Sequence, residues 1–299
     1  MRFVLYILFY AVCWTLAFLP FKALYVISDI LYFCIYYLVG YRRKVVMKNL
    51  HNAFPEKTED ERTRIAKRFY HFLCDMFVET IKVMHLSLPQ MQRHIRYSRP
   101  EMIEELYRKG KQVICVTGHY GNWEWLASLG HPVSYQLATL YHPLQNKYFD
   151  RFYYRLRTKS GIEAIPSGMA VRAISRYHSQ NRLTILCLLA DQAPIDHPAN
   201  YWTTFLHQES AVFMGAEKLA KRFDTAVLYY EIRRVKRGYY EVDTTLITEN
   251  ASEMNEYEIT DRHVALLEQT IRKTPQYWLW THRRWKRKRK SDEFTLSDG

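Results

Sequence analysis

Two long apolar runs open the chain. Residues 3–19 carry no charge, and beyond Pro20 and Lys22 a second run, 23–39, is broken only by Ser28 and Asp29. The first run reaches the lower edge of what a bilayer-spanning helix needs. Arg42, Arg43, Lys44 and Lys48 follow at once, and such basic residues beside an apolar segment mark the cytoplasmic face. The pattern predicts a membrane anchor over residues 1–40, as a single span or as a shallow hairpin about Pro20, with the rest of the chain on the cytoplasmic side. Packing of these runs as helices on the folded body is the competing arrangement. A cleaved signal peptide fits poorly: the run is long and aromatic, only Arg2 precedes it, and no small-x-small site stands out.

Past residue 41 the patterns are those of a folded body. Thr58-x-x-Glu61 has the form of a capping box and predicts a helix of about 25 residues, with apolar positions Ile65, Phe69, Phe72, Leu73, Met76, Ile81 and Met84 at helical spacing. From residue 100, strand-like runs at 111–117, 135–141, 162–165, 183–190, 225–231 and 239–247 alternate with helical patterns near 100–109, 147–160, 168–179, 211–223 and 259–272. Alternation of this kind predicts an α/β fold with a central mixed, mostly parallel sheet flanked by helices. The expected organisation is a helical segment, 41–100, packed on an α/β domain, 101–290, with 291–299 as a disordered tail.

Composition narrows the partners. Forty-three basic against 30 acidic residues leave a net charge of +13, and aromatics make up 15% of the 299 residues. The charge suits an anionic membrane surface, an acidic substrate or nucleic acid, and the aromatics suit a membrane interface or base stacking. No nucleic-acid module signature accompanies the charge, so no nucleic-acid partner is expected. The five cysteines are scattered among apolar residues with no Cys-x-x-Cys and no zinc-like spacing. They read as small buried hydrophobes in a reducing compartment. No metal and no cofactor is expected.

The chemistry concentrates in residues 115–125, Cys-Val-Thr-Gly-His-Tyr-Gly-Asn-Trp-Glu-Trp. A strand-like run delivers His119 into a glycine-flanked turn, and Glu124 follows. A histidine backed by an acid can deprotonate a weakly acidic hydroxyl near neutral pH. A continuous helix would turn the acid about 140° away from the ring, so the pair cooperates only if Gly121 and Asn122 break it. Asp191, at the end of the run 183–190, sits like His119 at the mouth of an apolar strand, where ligands bind in open α/β sheets, so the two are poised to meet in one site.

Gly-His-Tyr-Gly-Asn-Trp-Glu resembles the His-x4-Asp/Glu block of the bacterial lipid A biosynthesis acyltransferases, the late lauroyl/myristoyl-type enzymes. Four further segments resemble that family in the same order: Asn-Leu-His-Asn-Ala-Phe-Pro-Glu (49–56), Tyr-His-Pro-Leu-Gln-Asn (141–146), Leu-Leu-Ala-Asp-Gln (188–192) and Thr-Pro-Gln-Tyr-Trp-Leu-Trp-Thr-His-Arg-Arg-Trp-Lys (274–286). The resemblance implies a bacterial inner-membrane enzyme, its catalytic domain on the cytoplasmic side, moving an acyl chain from acyl carrier protein to a hydroxyl of a lipid A precursor. It implies His119 as general base with Glu124 orienting its ring, and no acyl-enzyme. The segment 151–161 matches a family block in which an arginine precedes a glycine by four. That role falls to Arg157, with Arg155 as the alternate, and Asp191 matches the acid of the Asp-Gln element. An Arg157–Asp191 pair would hold the site or position a phosphate. Asn122 and Trp123 are expected to shape the turn and wall, Gly118 and Gly121 to give backbone freedom, and Gln192 to contact substrate.

Two departures leave the acceptor open. Tyr141-His142-Pro143 stands where the family often has Arg-Pro, and Trp202–Gln208 replaces a Phe-Phe-Gly-type stretch. The same chemistry on an aminolipid or glycolipid, and a non-catalytic membrane-bound scaffold, are the alternatives. The run 283–290, seven cations in eight residues, is expected to attract anionic headgroups, the phosphorylated disaccharide and the acidic carrier protein.

Overall fold

In the computed structural model, which describes residues 2–128, 134–194, 197 and 201–289, the first apolar run is helix α1 (Arg2–Phe18). The second is α2 (Phe21–Phe33), continued without a break by a π-helical segment to Val39, where Gly40 ends it in the left-handed region at φ 64°. Helices α3 (Arg43–Ala53) and α4 (Glu59–Lys82) follow. The expected capping box opens α4: the Glu61 backbone N–H donates to the Thr58 hydroxyl and the Thr58 N–H to the Glu61 carboxylate. The remaining helices are α5 (Leu88–Gln92), α6 (Pro100–Arg108), α7 (Trp123–Ser128), α8 (Lys147–Thr158), α9 (Ala170–Ser179), α10 (Gly215–Phe223) and α11 (Glu258–Lys273).

Among the described residues, nine strands alternate with them: β1 (Ile95–Tyr97), β2 (Val113–Thr117), β3 (Gln136–Tyr141), β4 (Glu163–Pro166), β5 (Thr184–Leu189), β6 (Tyr201–Phe205), β7 (Gln208–Val212), β8 (Ala226–Lys236) and β9 (Tyr239–Thr248). Seven form one sheet in the order β1-β9-β8-β2-β5-β3-β4. Only the β8–β9 pairing in it is antiparallel, so the sheet is mixed and mostly parallel, as the alternation predicts. All five residues of β2 are buried, which a central parallel strand with helices on both faces requires. Ile114 and Val116 point into one apolar cluster with Leu186, Leu188 and Leu267, and Val113 and Cys115 into the other with Trp125, Phe152 and Leu156.

The helix expected over 211–223 begins later. Residues 201–212 form the β6–β7 hairpin instead, and α10 starts at Gly215. Val212 keeps helical phase with Ala216 and Leu219, but it is the last residue of β7. The tail 291–299 and Lys290 lie outside the described residues.

The N-terminal helices dock along the body on one side only. Leu24, Ser28 and Tyr36 are buried, while Val26, Ile30, Phe33, Leu38 and Val39 are exposed. Of the two polar residues that interrupt the second run, Ser28 is buried and Asp29 stays half exposed, yet both bond to the body. Ser28 donates to Asp75 of α4 at 2.7 Å, and Asp29 pairs with Arg237 at 2.5 Å and meets His71 at 2.9 Å. On α1, Cys13 and Ala17 are buried while Phe3, Leu5, Leu8, Val12, Trp14 and Phe18 stand exposed. Lys82 of α4 caps the end of that helix, its Nζ donating to the carbonyls of Ala17 and Leu19 at 2.9 and 2.7 Å. The stretch Phe21–Val39, 19 residues, is long and apolar enough to cross a membrane.

Candidate active site

Strand register builds the centre of the site. Thr117 of β2 lies opposite Leu189 of β5, so two residues beyond each strand His119 and Asp191 arrive side by side. His119 Nδ1 lies 2.7 Å from Asp191 Oδ1, and the His119 backbone N–H donates to Oδ2 at 2.9 Å. Trp278 Nε1 donates to the same Oδ2 at 2.8 Å. Burial alone would push the Asp191 carboxyl up, but His119 and these donors outweigh it and hold it down to about 2. An ionised Asp191 fixes the imidazole with its proton on Nδ1 and leaves Nε2 as the basic atom. The side-chain amide nitrogen of Gln192 lies 3.2 Å from that Nε2, and the Trp123 ring packs edge-on against the imidazole with centroids 5.0 Å apart.

Three supports pin the turn. Gly121 sits at φ 62°, and a Cβ there would lie 2.4 Å from the Ile232 carbonyl oxygen, so only glycine fits. At Gly118 the reason is space rather than φ: a Cβ would come within 2.8 Å of Leu267. On the outer side the Gly121 N–H donates to the Tyr277 carbonyl and the Leu279 N–H to the His119 carbonyl, each at 3.0 Å, flanking a bridge between Tyr120 and Trp278. Below, the fully buried Asn122 donates to Glu79 of α4 at 2.7 Å.

The expected pairings of the acids are exchanged. Glu124 does not orient the ring: both its oxygens accept from Arg157, from Nε at 3.0 Å and Nη2 at 2.5 Å. Nor does Arg157 meet Asp191 in an ion pair. The reason is geometric. Helix α7 starts at Trp123, which places Glu124 in its first turn, and α7 packs against α8, which carries Arg157. Parallel register meanwhile brings Asp191 to the histidine. Burial opposes the Arg157 charge, yet Glu124 raises its pKa overall. Two other histidines near the site, His263 and His282, are pushed down to about 4 by burial and stay neutral near pH 7.

Trp123 and Glu124 line an apolar cavity of about 480 Å³ together with Leu31 and Ile35 from the second apolar run, Leu73 and Phe77 of α4, and Tyr153 of α8. A second cavity, of about 710 Å³, is basic. Lys44 and Lys48 of α3 face Arg283, Lys286, Lys288 and Arg289 across it, with Glu209 its one acid among the described residues. Trp278 and Glu79 carry no assigned role in the sequence reading. Trp278 lies inside the closing segment 274–286, and Glu79 is an acid on the buried face of an amphipathic helix; those were the signals available.

Residues 1–287 match the family model described as bacterial lipid A biosynthesis acyltransferase, and no curated protein matches the chain. With the match extending over nearly its whole length, the chain belongs to that family.

Proposed function

We propose that, as a member of this family, the chain moves a fatty acyl group from acyl carrier protein to a hydroxyl of a lipid A precursor, with His119 as general base. One observation carries the reading: an imidazole held by a buried, ionised Asp191, beside an apolar cavity that reaches helix α2. A lipid alcohol is a poor nucleophile near neutral pH and needs its proton removed as it attacks. In the proposed step the hydroxyl displaces the Gln192 amide from Nε2 and gives its proton to that atom. Its oxygen bonds to the thioester carbonyl carbon, and the tetrahedral oxyanion collapses to the ester. The C–S bond breaks, and the departing thiolate takes the proton back from the imidazolium.

The oxyanion needs aimed donors. The backbone N–H of Gly121 is committed to Tyr277 and that of Tyr120 to Gly118, which favours Arg157. Glu124 grips its Nε and Nη2 and leaves Nη1 outside the pair. Direct attack requires no acyl-enzyme. Rapid quench with labelled acyl carrier protein tests this: protein-bound acyl label that appears and decays at the turnover rate would sink the single-base mechanism. Mass spectrometry of host lipid A after deletion of the gene tests the acceptor, the expected result being the loss of one acyl group.

The exposed apolar faces of α1 and α2 are read as the membrane-contacting surface, and the basic cavity beside α3 as the collector of anionic headgroups and of the acidic carrier. Each basic residue near such a surface contributes about 1 kcal/mol. Deleting residues 287–299 should weaken liposome association more than it slows turnover of a detergent-solubilised substrate.

A further inference from the structure

One acid outside the catalytic pair collects bonds from four elements. Glu79 of α4 is fully buried. Its Oε2 accepts from Asn122 Nδ2 at 2.7 Å and from the Tyr240 hydroxyl of β9 at 2.6 Å, and its Oε1 accepts from the Tyr25 hydroxyl of α2 at 3.0 Å. Its backbone carbonyl accepts from Trp125 Nε1 of α7 at 3.3 Å. Burying a carboxylate is costly unless its lone pairs are met, and three side-chain donors meet them here. Burial pushes the Glu79 carboxyl up, against the opposing pull of Tyr240, Arg234 and Asn122.

The approach of Tyr25 is as tightly fitted as that of Asn122. A Cβ on Gly238 would lie 2.2 Å from the Tyr25 hydroxyl, so the ring reaches Glu79 across a position that only glycine leaves open. One helical turn earlier on α4, the fully buried Asp75 ties Ser28 of the same helix α2 to Arg234 and Arg237 of the β8–β9 hairpin. Asp75 thus seats α2 on the body, and Glu79 joins α2 to the turn that bears His119. The other supports of that turn run elsewhere: to β8 at Ile232, to the segment Tyr277–Leu279, and to Asp191.

We propose that Glu79 is a positioning residue that sets the 119–123 turn relative to the membrane-facing helix α2, so that a displacement of α2 is felt at His119. The idea rests on the acyltransferase reading above. A carboxylate that merely fills the core would alter stability when changed and leave the turnover of the folded fraction untouched. A positioning carboxylate changes kcat, with KM for both substrates held.

The experiment compares Tyr25→Phe, Glu79→Gln and the double variant with wild type in full-length, membrane-reconstituted protein. It measures kcat, both KM values and the thermal midpoint. Tyr25→Phe removes a single hydroxyl and leaves the Glu79–Asn122 bond in place; Glu79→Gln keeps the shape but turns an amide N–H₂ toward a hydroxyl. Expected are falls in kcat of roughly three-fold and roughly ten-fold, the scale of a single buried hydrogen bond lost or opposed, with both KM values within about two-fold. The double variant should be no slower than Glu79→Gln alone, because Tyr25 acts through Glu79. Wild-type kcat in Tyr25→Phe, or independent, multiplying effects in the double variant, would overturn the proposal; if Glu79→Gln fails to fold, Tyr25→Phe alone decides. His119→Ala is the control. If wild type transfers acyl groups and His119→Ala does not, a null result for Tyr25→Phe and Glu79→Gln condemns only the positioning role; if wild type transfers none, the acyltransferase reading itself has failed.

Discussion

Asp191 and Glu124 flank the same short turn, and each holds one basic side chain, yet their surroundings differ. Asp191 is 5% exposed and takes three donors, two of them from His119. Glu124 spends both oxygens on a single guanidinium at the edge of an apolar cavity. The acid five positions from the histidine in sequence went to an arginine, and the acid 72 positions away went to the imidazole. Register between neighbouring parallel strands fixes contacts more firmly than closeness along the chain, because a helix start rotates the next side chains away while strand ends stay level.

The comparison can be broken in several ways, the largest effect first. His119→Ala should lower kcat by about 10²–10⁴-fold, the usual worth of a positioned base, in a steady-state assay with acyl carrier protein donor. Asp191→Asn, which keeps the shape and gives up the charge, should cost on the order of 10²–10³-fold by loosening the ring and destabilising its cation. Glu124→Gln should cost less, about ten-fold, through Arg157; were it the more damaging of the two acid variants, Glu124 and not Asp191 would be the partner that matters. Arg157→Lys should lose about the same, since an ammonium cannot reproduce the two-pronged contact.

The smallest effect is on stability. The folded Asp191 carboxyl titrates at about 2, below its ordinary value near 3.9. The unfolded chain therefore binds the proton first as pH falls. Its contribution is full above about pH 5 and drains away toward pH 2. Thermal midpoints measured between pH 6 and pH 3 should fall less steeply for Asp191→Asn than for wild type. Parallel curves would deny the carboxylate its ionised state.

Much of this architecture can be read from residue patterns. The capping box at Thr58, the six main strands and the helices between them follow local rules, and the structure has them within a few residues. His119 and Asp191 at the mouths of apolar strands were also visible, since strand ends have a known use. Their meeting in one site was expected on that ground, but the bond of Asp191 to the imidazole in place of Glu124 was not, because sequence order does not say which strands are neighbours. The β6–β7 hairpin escaped notice because Val212 mimics helical phase. Glu79 and Asp75 fall at i, i+4 on the buried face of α4, a pattern whose meaning appears only once Asn122, Tyr25 and Arg237 are seen to converge there.

The seam that Tyr277–Leu279 forms along the His119 turn sets an order on the birth of the enzyme. All seven strands of the main sheet have been synthesised once residue 248 is added, yet Asp191 still lacks the Trp278 indole and Gly121 its carbonyl acceptor. A chain cut short by a premature stop near residue 270 would keep every strand of that sheet and never complete the turn that bears His119, so, on the proposed mechanism, proteins truncated there are expected to behave as nulls rather than as weakened alleles.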